Sequence, residues 1–554
     1  MKKLLRAALL ALLCANAALG DGIDFDPETL AGPSLEKICM VIVANPDSQV
    51  LAAEKGEIDV LGDIARPSDI NRLSASPHLD MSLARGFHAF FLLMNNQASP
   101  WNDPAVRRAA AMSLDRNSMV RGIYQGYCEP INSWLPPVSP WAAPDGTRNI
   151  FDRKAARELL LSAGYRFNYA GRLLRPDGTP FPAVKLLSPL ARVAPTTAEM
   201  AERIAASLNA AGFDVDVEPM DFSAMVARLD RKDYSLAVLA WSMGRNPDSL
   251  YSFYHSSMDV PGGYNMTGIR DVRLDAALER LRFAPDKAAA EAASAEAQKL
   301  LAELVPSAPI YSRFSVAAFS RSWKNVISTE KITADNMWTM MRAEPREGPM
   351  RPLTMALVEE PRSLNPFTAS SAYSWQVLGN IYEGLIGTNP KTLEDMSGLA
   401  ESWNVAVEGA GKDAHTVLTF RLRGGLKWND GSPLTASDLK ATLEFLKNNQ
   451  IPRFFDAVKN VASAEALNER ELKVVMSGVS YWYLDNVAGL PFMPARVLEG
   501  IADWQNWDPL ASGGPSALVG AGPFALEEYR PGEYVMMARN PHYWRLHLKG
   551  AERR

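Results

Sequence analysis

The chain has 554 residues, 47% of them hydrophobic and 22% charged, enough for two or three lobes with their own cores. Its formal charge of −5 excludes the strongly basic surface of a nucleic-acid binder. Beyond the first twenty residues there is no uninterrupted apolar run of about 18 residues, so no membrane-spanning helix is expected.

Residues 1–20, "MKKLLRAALLALLCANAALG", join Lys2, Lys3 and Arg6 to a short apolar run and small residues. That is the pattern of a secretory signal peptide, and an exported, soluble chain follows from it. Leu13 stands before Cys14 where lipid attachment wants a small residue, so lipoprotein anchoring is the weaker reading. Cys39 and Cys128 then remain. They make neither a disulfide framework nor a zinc site, and a single bridge between them stays open.

"LEKICMVIV" (35–43) reads as a strand buried on both faces, with Cys39 a buried thiol. Short strands follow at 58–61 and 88–96. The texture then turns helical. Asp103, with Pro104 behind it, caps one helix, Asp115 a second and Asp152 a third, which Gly164 ends. "TAEMAERIAASLNAAGFDVDVEPMD" reads as a helix, a Gly212 stop and a strand, and "DYSLAVLAWS" as a buried strand. This alternation is that of a wound α/β lobe. "AEPREGPMRP" (343–352) has the composition of a linker.

Strand "LTMALVEEP" starts directly after it. "HTVLTFRLRGGLKWNDGSPLTASDL" reads as a strand, a Gly424-Gly425 bend, a short strand with Trp428, and a helix opened by Thr435 and Asp438. "GAGPFALEEYRPGEYVMMARNPHYW" (520–544) is a hairpin, which needs further strands to be stable.

"EEPRSLNPF", "LGNIYEGLIGTNP", "GLAESWNV" and "TFRLRGGLKWNDGSPLTASDL" resemble the N-terminal half of the family 5 extracytoplasmic solute-binding proteins. These are the receptors of peptide, dipeptide and nickel ABC importers. "GPSLEKICMVIV", "AAEKGEIDVLGDIARPSDINRL", "PWNDPAVRRAAAMSLDRNSMVRGIYQGYCEPINSWLPP", "LAWSMGRNPDSLYSFYHSS" and "YNMTGIRDVRLDAALERL" resemble the second half of that family, yet come first. The resemblance therefore implies a circularly permuted chain whose usual order is 351–544 and then 32–345. The terminal hairpin should pair with "LEKICMVIV", and the seam should lie near residue 348.

The implied fold is the three-lobe α/β periplasmic-binding-protein architecture of the peptide-binding class. Lobe I is expected over 21–95, 319–380 and 516–554, lobe III over 96–318, and lobe II over 381–515. Lobes I and III would close on the ligand, and a membrane permease would read the closed form.

No HExxH, GxSxG or GxxxxGK[ST] motif is present, the six histidines are scattered, and no carboxylates show acid/base spacing. No enzyme, cofactor or metal is expected. A binding cleft instead needs aromatic walls and a few fixed polar groups. The resemblance puts "AWSMGRNPD" at the ligand, with Trp241, Ser242, Arg245 and Asp248 as candidates. It adds Asn265 on a second strand with Tyr264 beside it, and Tyr373 and Trp375 from lobe I.

Peptide binders carry an aspartate about three residues after the tryptophan, to pair with an α-ammonium. Met243 or Gly244 stands there, so an anionic, neutral or N-blocked ligand fits Arg245 at least as well. Asp248 is read either as a ligand contact or as part of a turn. Asn95 and Asn96 are read as hinge residues. The implied function is capture of a peptide-like or other small solute in the periplasm by a monomer, and its delivery to ABC permease subunits in the inner membrane. A ligand sensor serving a signalling partner is the alternative.

Overall fold

The computed structural model describes residues 25–143, 150–192, 194–260, 263–369 and 371–548. The expected signal peptide, 1–20, lies outside the described residues. Among them, no helix is long and apolar enough to cross a membrane. The chain divides into two compact units, 1–84 with 315–554, and 85–314. The main strands are β1 (Lys37–Ile42), β2 (Val60–Leu61), β3 (Leu79–Met94), β4 (Cys128–Pro130), β5 (Val184–Pro189), β6 (Val215–Met220), β7 (Leu236–Ser242), β8 (Ser307–Ser320), β9 (Leu353–Leu357), β10 (Phe524–Arg530) and β11 (Tyr534–Arg539). The chain passes from one unit to the other inside β3 and back inside β8.

In the first unit the strand order is β10-β11-β1-β9-β2-β8. β1 runs parallel to β9, with Ile38 opposite Leu353 and Ile42 opposite Leu357. On its other side it runs antiparallel to β11, with Lys37 opposite Ala538 and Val41 opposite Tyr534. The hairpin near the end of the sequence thus finds its sheet in a strand near the beginning.

The register follows from burial. Ile38 and Met40 of β1 and Val535 and Met537 of β11 are all buried, so one face of both strands joins a common core. β1 is not covered on both faces, however. Lys37, Cys39 and Val41 are half-buried, and Cys39 is a free thiol, as is Cys128. The β10–β11 turn is held from outside: the Glu360 carboxylate accepts the Tyr529 hydroxyl at 2.6 Å and the Gly532 N–H at 3.0 Å. Gly532 has φ +75°, which a glycine adopts without strain.

The stretch 343–352 is more ordered than its composition suggests. Glu344–Pro345 pairs antiparallel with Trp323–Lys324, and the Arg346 N–H donates to the Ser322 carbonyl at 2.8 Å. At the other end Arg351 donates to both oxygens of Asp59, at 2.7 and 2.8 Å. Only 346–351 is exposed between these anchors. Further along, Ala400–Glu408, His415–Leu422, Glu471–Met476 and Val461–Asn468 form a four-stranded antiparallel sheet in that order. Helix Ala436–Asn448 packs beside it and opens with the Thr435/Asp438 capping box. Trp428 sits in a tight turn rather than a strand and is buried.

In the second unit the order is β8-β3-β7-β5-β6, with β4 against β8. β7 is antiparallel to β3 and parallel to β5, and β5 is parallel to β6. Helices Pro104–Met112, Arg116–Tyr124 and Arg153–Ser162 start where expected: Asp103, Asp115 and Asp152 accept the N–H groups of Ala105, Ser118 and Ala155.

Asn95 and Asn96 do not sit where the chain changes unit. Asn95 Nδ2 donates to the carbonyls of Lys232 and Tyr234, and Asn96 Nδ2 to those of Met94 and Pro306. These bonds lock the end of β3 into the second unit, whereas the crossings fall at Ala84/Arg85 and Phe314/Ser315.

Candidate functional site

Strand β7 is buried from Leu236 to Leu239 and emerges at its end: Ala240 and Ser242 are exposed and Trp241 is half-buried. Its partner β3 fixes the register, with Ala89 opposite Trp241 and His88 opposite Ser242. Beyond the strand the chain turns into α1 (Ser249–Tyr254). Phe253 on α1 lies 4.5 Å from Trp241 between ring centroids. Tyr264 meets both edge-on, 6.1 Å from Trp241 and 6.2 Å from Phe253. Tyr264 is 53% exposed, so the trio is an aromatic surface rather than a core cluster.

The loop under this surface is fixed by polar contacts. Asp248 stands at the N-cap position of α1, but its carboxylate makes no cap bond. It accepts instead from Arg282, Oδ1 from Nε at 3.2 Å and Oδ2 from Nη2 at 3.0 Å. Arg282 ends α2 (Val272–Arg282) and also lies over the Tyr251 ring at 3.9 Å. Tyr251 stacks on His255 at 4.1 Å with 10° between the planes. Asp248 is the only carboxylate in 242–254, and it is taken up by this pair. Ser139 Oγ donates to the Arg245 carbonyl at 2.8 Å, tying the middle of the loop down.

Asn265 proves to be a fold residue. It lies in a turn, not on a strand, and is completely buried. Its Nδ2 donates to the carbonyls of His255 and Ile269, and its Oδ1 accepts from Thr267 Oγ1 and the Gly268 N–H. The amide is fully engaged in shaping the turn that presents Tyr264, which corrects its reading as a side-chain ligand donor.

Asp259 anchors the same turn: its carboxylate accepts from Gln97 at 2.6 Å and from Arg270 at 2.8 and 3.0 Å, with Lys232 at 3.0 Å. Burial alone would raise this carboxyl, but Lys232, Arg270 and Gln97 hold it below the usual range.

Tyr373 and Trp375 belong to the first unit, at the start of α3 (Ala372–Ile381), whose N-cap Ser371 accepts the Tyr373 N–H. Trp375 donates Nε1–H to the Ala369 carbonyl at 2.9 Å, meets Phe454 edge-on at 6.1 Å and lies under the Arg453 guanidinium at 4.5 Å. Tyr373 is half-buried in acidic surroundings: burial, Asp63 and Glu359 all push its phenol up. Burial and Asp63 also raise the Asp335 carboxyl to about 6. Two positions apart on one helix, the two rings therefore serve different neighbours. Among the described residues there is no cluster of histidine, cysteine and acidic groups able to hold a metal.

Phe253 and Arg282 escape a reading by motif. Tyr251, Phe253 and Tyr254 give three aromatics in four residues, a signal that was present. Arg282 is far from Asp248 in sequence and gives none.

A family model described as bacterial extracellular solute-binding proteins, family 5 Middle, matches residues 30–260 and 396–553. The chain belongs to this family. This family 5 chain is 28% identical over 276 residues to the probable ABC transporter periplasmic-binding protein SapA of Escherichia coli, covering 49% of the chain and 48% of that protein. It is 26% identical over 210 residues to the periplasmic murein peptide-binding protein MppA of Escherichia coli, covering 35% and 36%. It thus spans half or less of the length of these curated relatives. Among solved structures, the oligopeptide-binding protein AppA of Bacillus subtilis, in complex with a nonapeptide, superposes with a TM-score of 0.46 at 19% identity, covering 55% of the chain and 59% of that protein. The family description and the names of both curated relatives are those of binding proteins.

Proposed function

We propose that this family 5 protein captures a peptide-like or other small solute in the periplasm and delivers it to an ABC import permease in the inner membrane. The observation that carries the reading is the exposed aromatic surface of Trp241, Phe253 and Tyr264 at a strand end, in a chain of a solute-binding family. Ser242 and Arg245 would supply polar contacts beside it. Asp248 would act through the loop rather than on the solute, because Arg282 neutralises it. With no other carboxylate in 242–254, a peptide ammonium would be buried there without a counter-charge, at a cost of several kcal/mol.

The solute is therefore expected to be neutral, anionic or blocked at its amino end. Native mass spectrometry of the purified protein should show such a molecule bound. A thermal-shift screen should rank N-acetylated peptides above their free-amine counterparts. A ligand at 100 times its Kd adds about 2.7 kcal/mol, which such a screen resolves. Tighter binding of the free-amine peptides would defeat this reading.

We also infer that the chain is a circular permutation of the family order. Support comes from the β1–β11 pairing and from the short distance at the break: the Gly32 N–H donates to the Arg545 carbonyl at 3.3 Å, and the Arg539 N–H to the Glu36 carbonyl at 2.8 Å. The exposed stretch 346–351 is a site where a chain tolerates opening. A protein reordered as 351–544 followed by 32–345 is expected to fold cooperatively and bind the same solute; an insoluble or molten product would count against the permutation.

A further inference from the structure

The aromatic surface depends on how α1 is held, and α1 is short. Six residues do not make a stable helix by themselves. Each of its three aromatics faces a different neighbour. Tyr254 is buried and its hydroxyl meets Ser307 Oγ at 2.8 Å. Phe253 meets Trp241 and Tyr264. Tyr251 lies between the Arg282 guanidinium and the His255 ring.

Arg282 therefore grips α1 at two points, the Asp248 carboxylate ahead of its first turn and the Tyr251 ring within it. An aspartate at an N-cap usually accepts an N–H of the first turn. Asp248 forgoes that bond for Arg282. Behind the stack, His255 is held on both sides of its ring by polar neighbours. Its Nδ1 lies 3.1 Å from the Ser257 backbone nitrogen and 2.7 Å from the Ser257 Oγ, and its Nε2 lies 3.5 Å from Glu279 Oε1. The layers Arg282, Tyr251 and His255 thus make α2 the backing of the loop.

We propose that Arg282 is a positioning residue of the solute site. Through Asp248 and Tyr251 it sets the attitude of α1, and so the placement of Phe253 against Trp241. This role rests on the solute-binding reading for its purpose, but not for its detection. A planar fork is needed, since only a guanidinium can donate two parallel bonds to a carboxylate while lying flat on a ring.

The test uses the full chain labelled with 5-fluorotryptophan, the Trp241 fluorine resonance being assigned by Trp241→Phe. Arg282→Met is expected to shift and broaden that resonance in the ligand-free protein. Arg282→Lys restores the charge without the fork and is expected to leave the resonance displaced. Asp248→Asn, a milder change, should move it in the same direction. Arg280→Met breaks the Arg280–Glu296 pair on the same helix without touching the loop, and should leave the resonance unchanged.

Retention of a synthetic pool of N-acetylated tripeptides should fall about tenfold in the two Arg282 variants, the equivalent of about 1.4 kcal/mol. A Trp241 resonance that ignores Arg282→Met and Asp248→Asn, or that responds equally to Arg280→Met, overturns the proposal. If the wild type retains none of the pool while the resonance still answers to Arg282→Met, the N-blocked-peptide reading falls and the positioning role stands.

Discussion

Replacing Asp59 by alanine is expected to cost the first unit about 3 kcal/mol, measured by urea or thermal unfolding. Asp59 is 2% exposed, and its carboxylate carries three bonds: two from Arg351 and one from the Thr354 N–H at 2.9 Å. Alanine would leave that N–H without its partner. It would also leave the Arg351 guanidinium over the Trp323 ring, 4.6 Å away, without a counter-charge. Arg351 is 43% exposed, so water compensates part of the loss, which places the cost at the low end for a broken buried pair.

Arg351→Met strands a buried carboxylate instead and should cost a similar amount. The double variant Asp59→Ala/Arg351→Met should cost clearly less than the sum, because the pair acts as a unit. Additive losses would show that the pair does not hold the two segments together. The pair also bears on the seam, since Arg351 closes the exposed stretch 346–351 onto β2 and β9.

What could be read from the sequence was mostly local. Asp103, Asp115, Asp152 and the Thr435/Asp438 box mark helix starts because a cap is satisfied within three residues of itself. The hairpin 524–539 declares itself by alternation and a Pro-Gly turn. Its partner, across almost the whole chain, emerged only from the resemblance.

Composition misled at 343–352: prolines and charges read as a linker, while pairing with Trp323–Lys324 and the Arg351–Asp59 pair fix both its ends. Asn265 shows the matching limit in the site. A polar residue beside an exposed tyrosine resembles a ligand donor, and only the hydrogen-bond count shows that its amide is already spent on the turn. Arg282 could not be found from sequence, because its meaning lies in a contact with Asp248 and Tyr251 that only folding creates.

Phe253→Ala is expected to weaken solute binding by about 2 kcal/mol, roughly thirtyfold in Kd, with a smaller effect on stability. Phe253 is the ring common to both faces of the trio, 4.5 Å from Trp241 and 6.2 Å from Tyr264. Removing it takes contact surface from the solute and lets the Trp241 ring turn away from its present attitude. It is half-buried, so the fold loses only part of the 3–5 kcal/mol that deleting a buried phenylalanine costs.

Phe253→Leu should recover the lost area but not the edge-on contact with Tyr264, worth about 1 kcal/mol, and so restore only part of the affinity. Trp241→Ala should be at least as damaging, and the double variant no worse than the more damaging single one, because either change dismantles the same surface. Calorimetry with the solute found by mass spectrometry gives the Kd values, and unfolding curves give the stability control. Wild-type affinity in Phe253→Ala would move the solute away from this surface, and with it the reason for Arg282 to hold α1 in place.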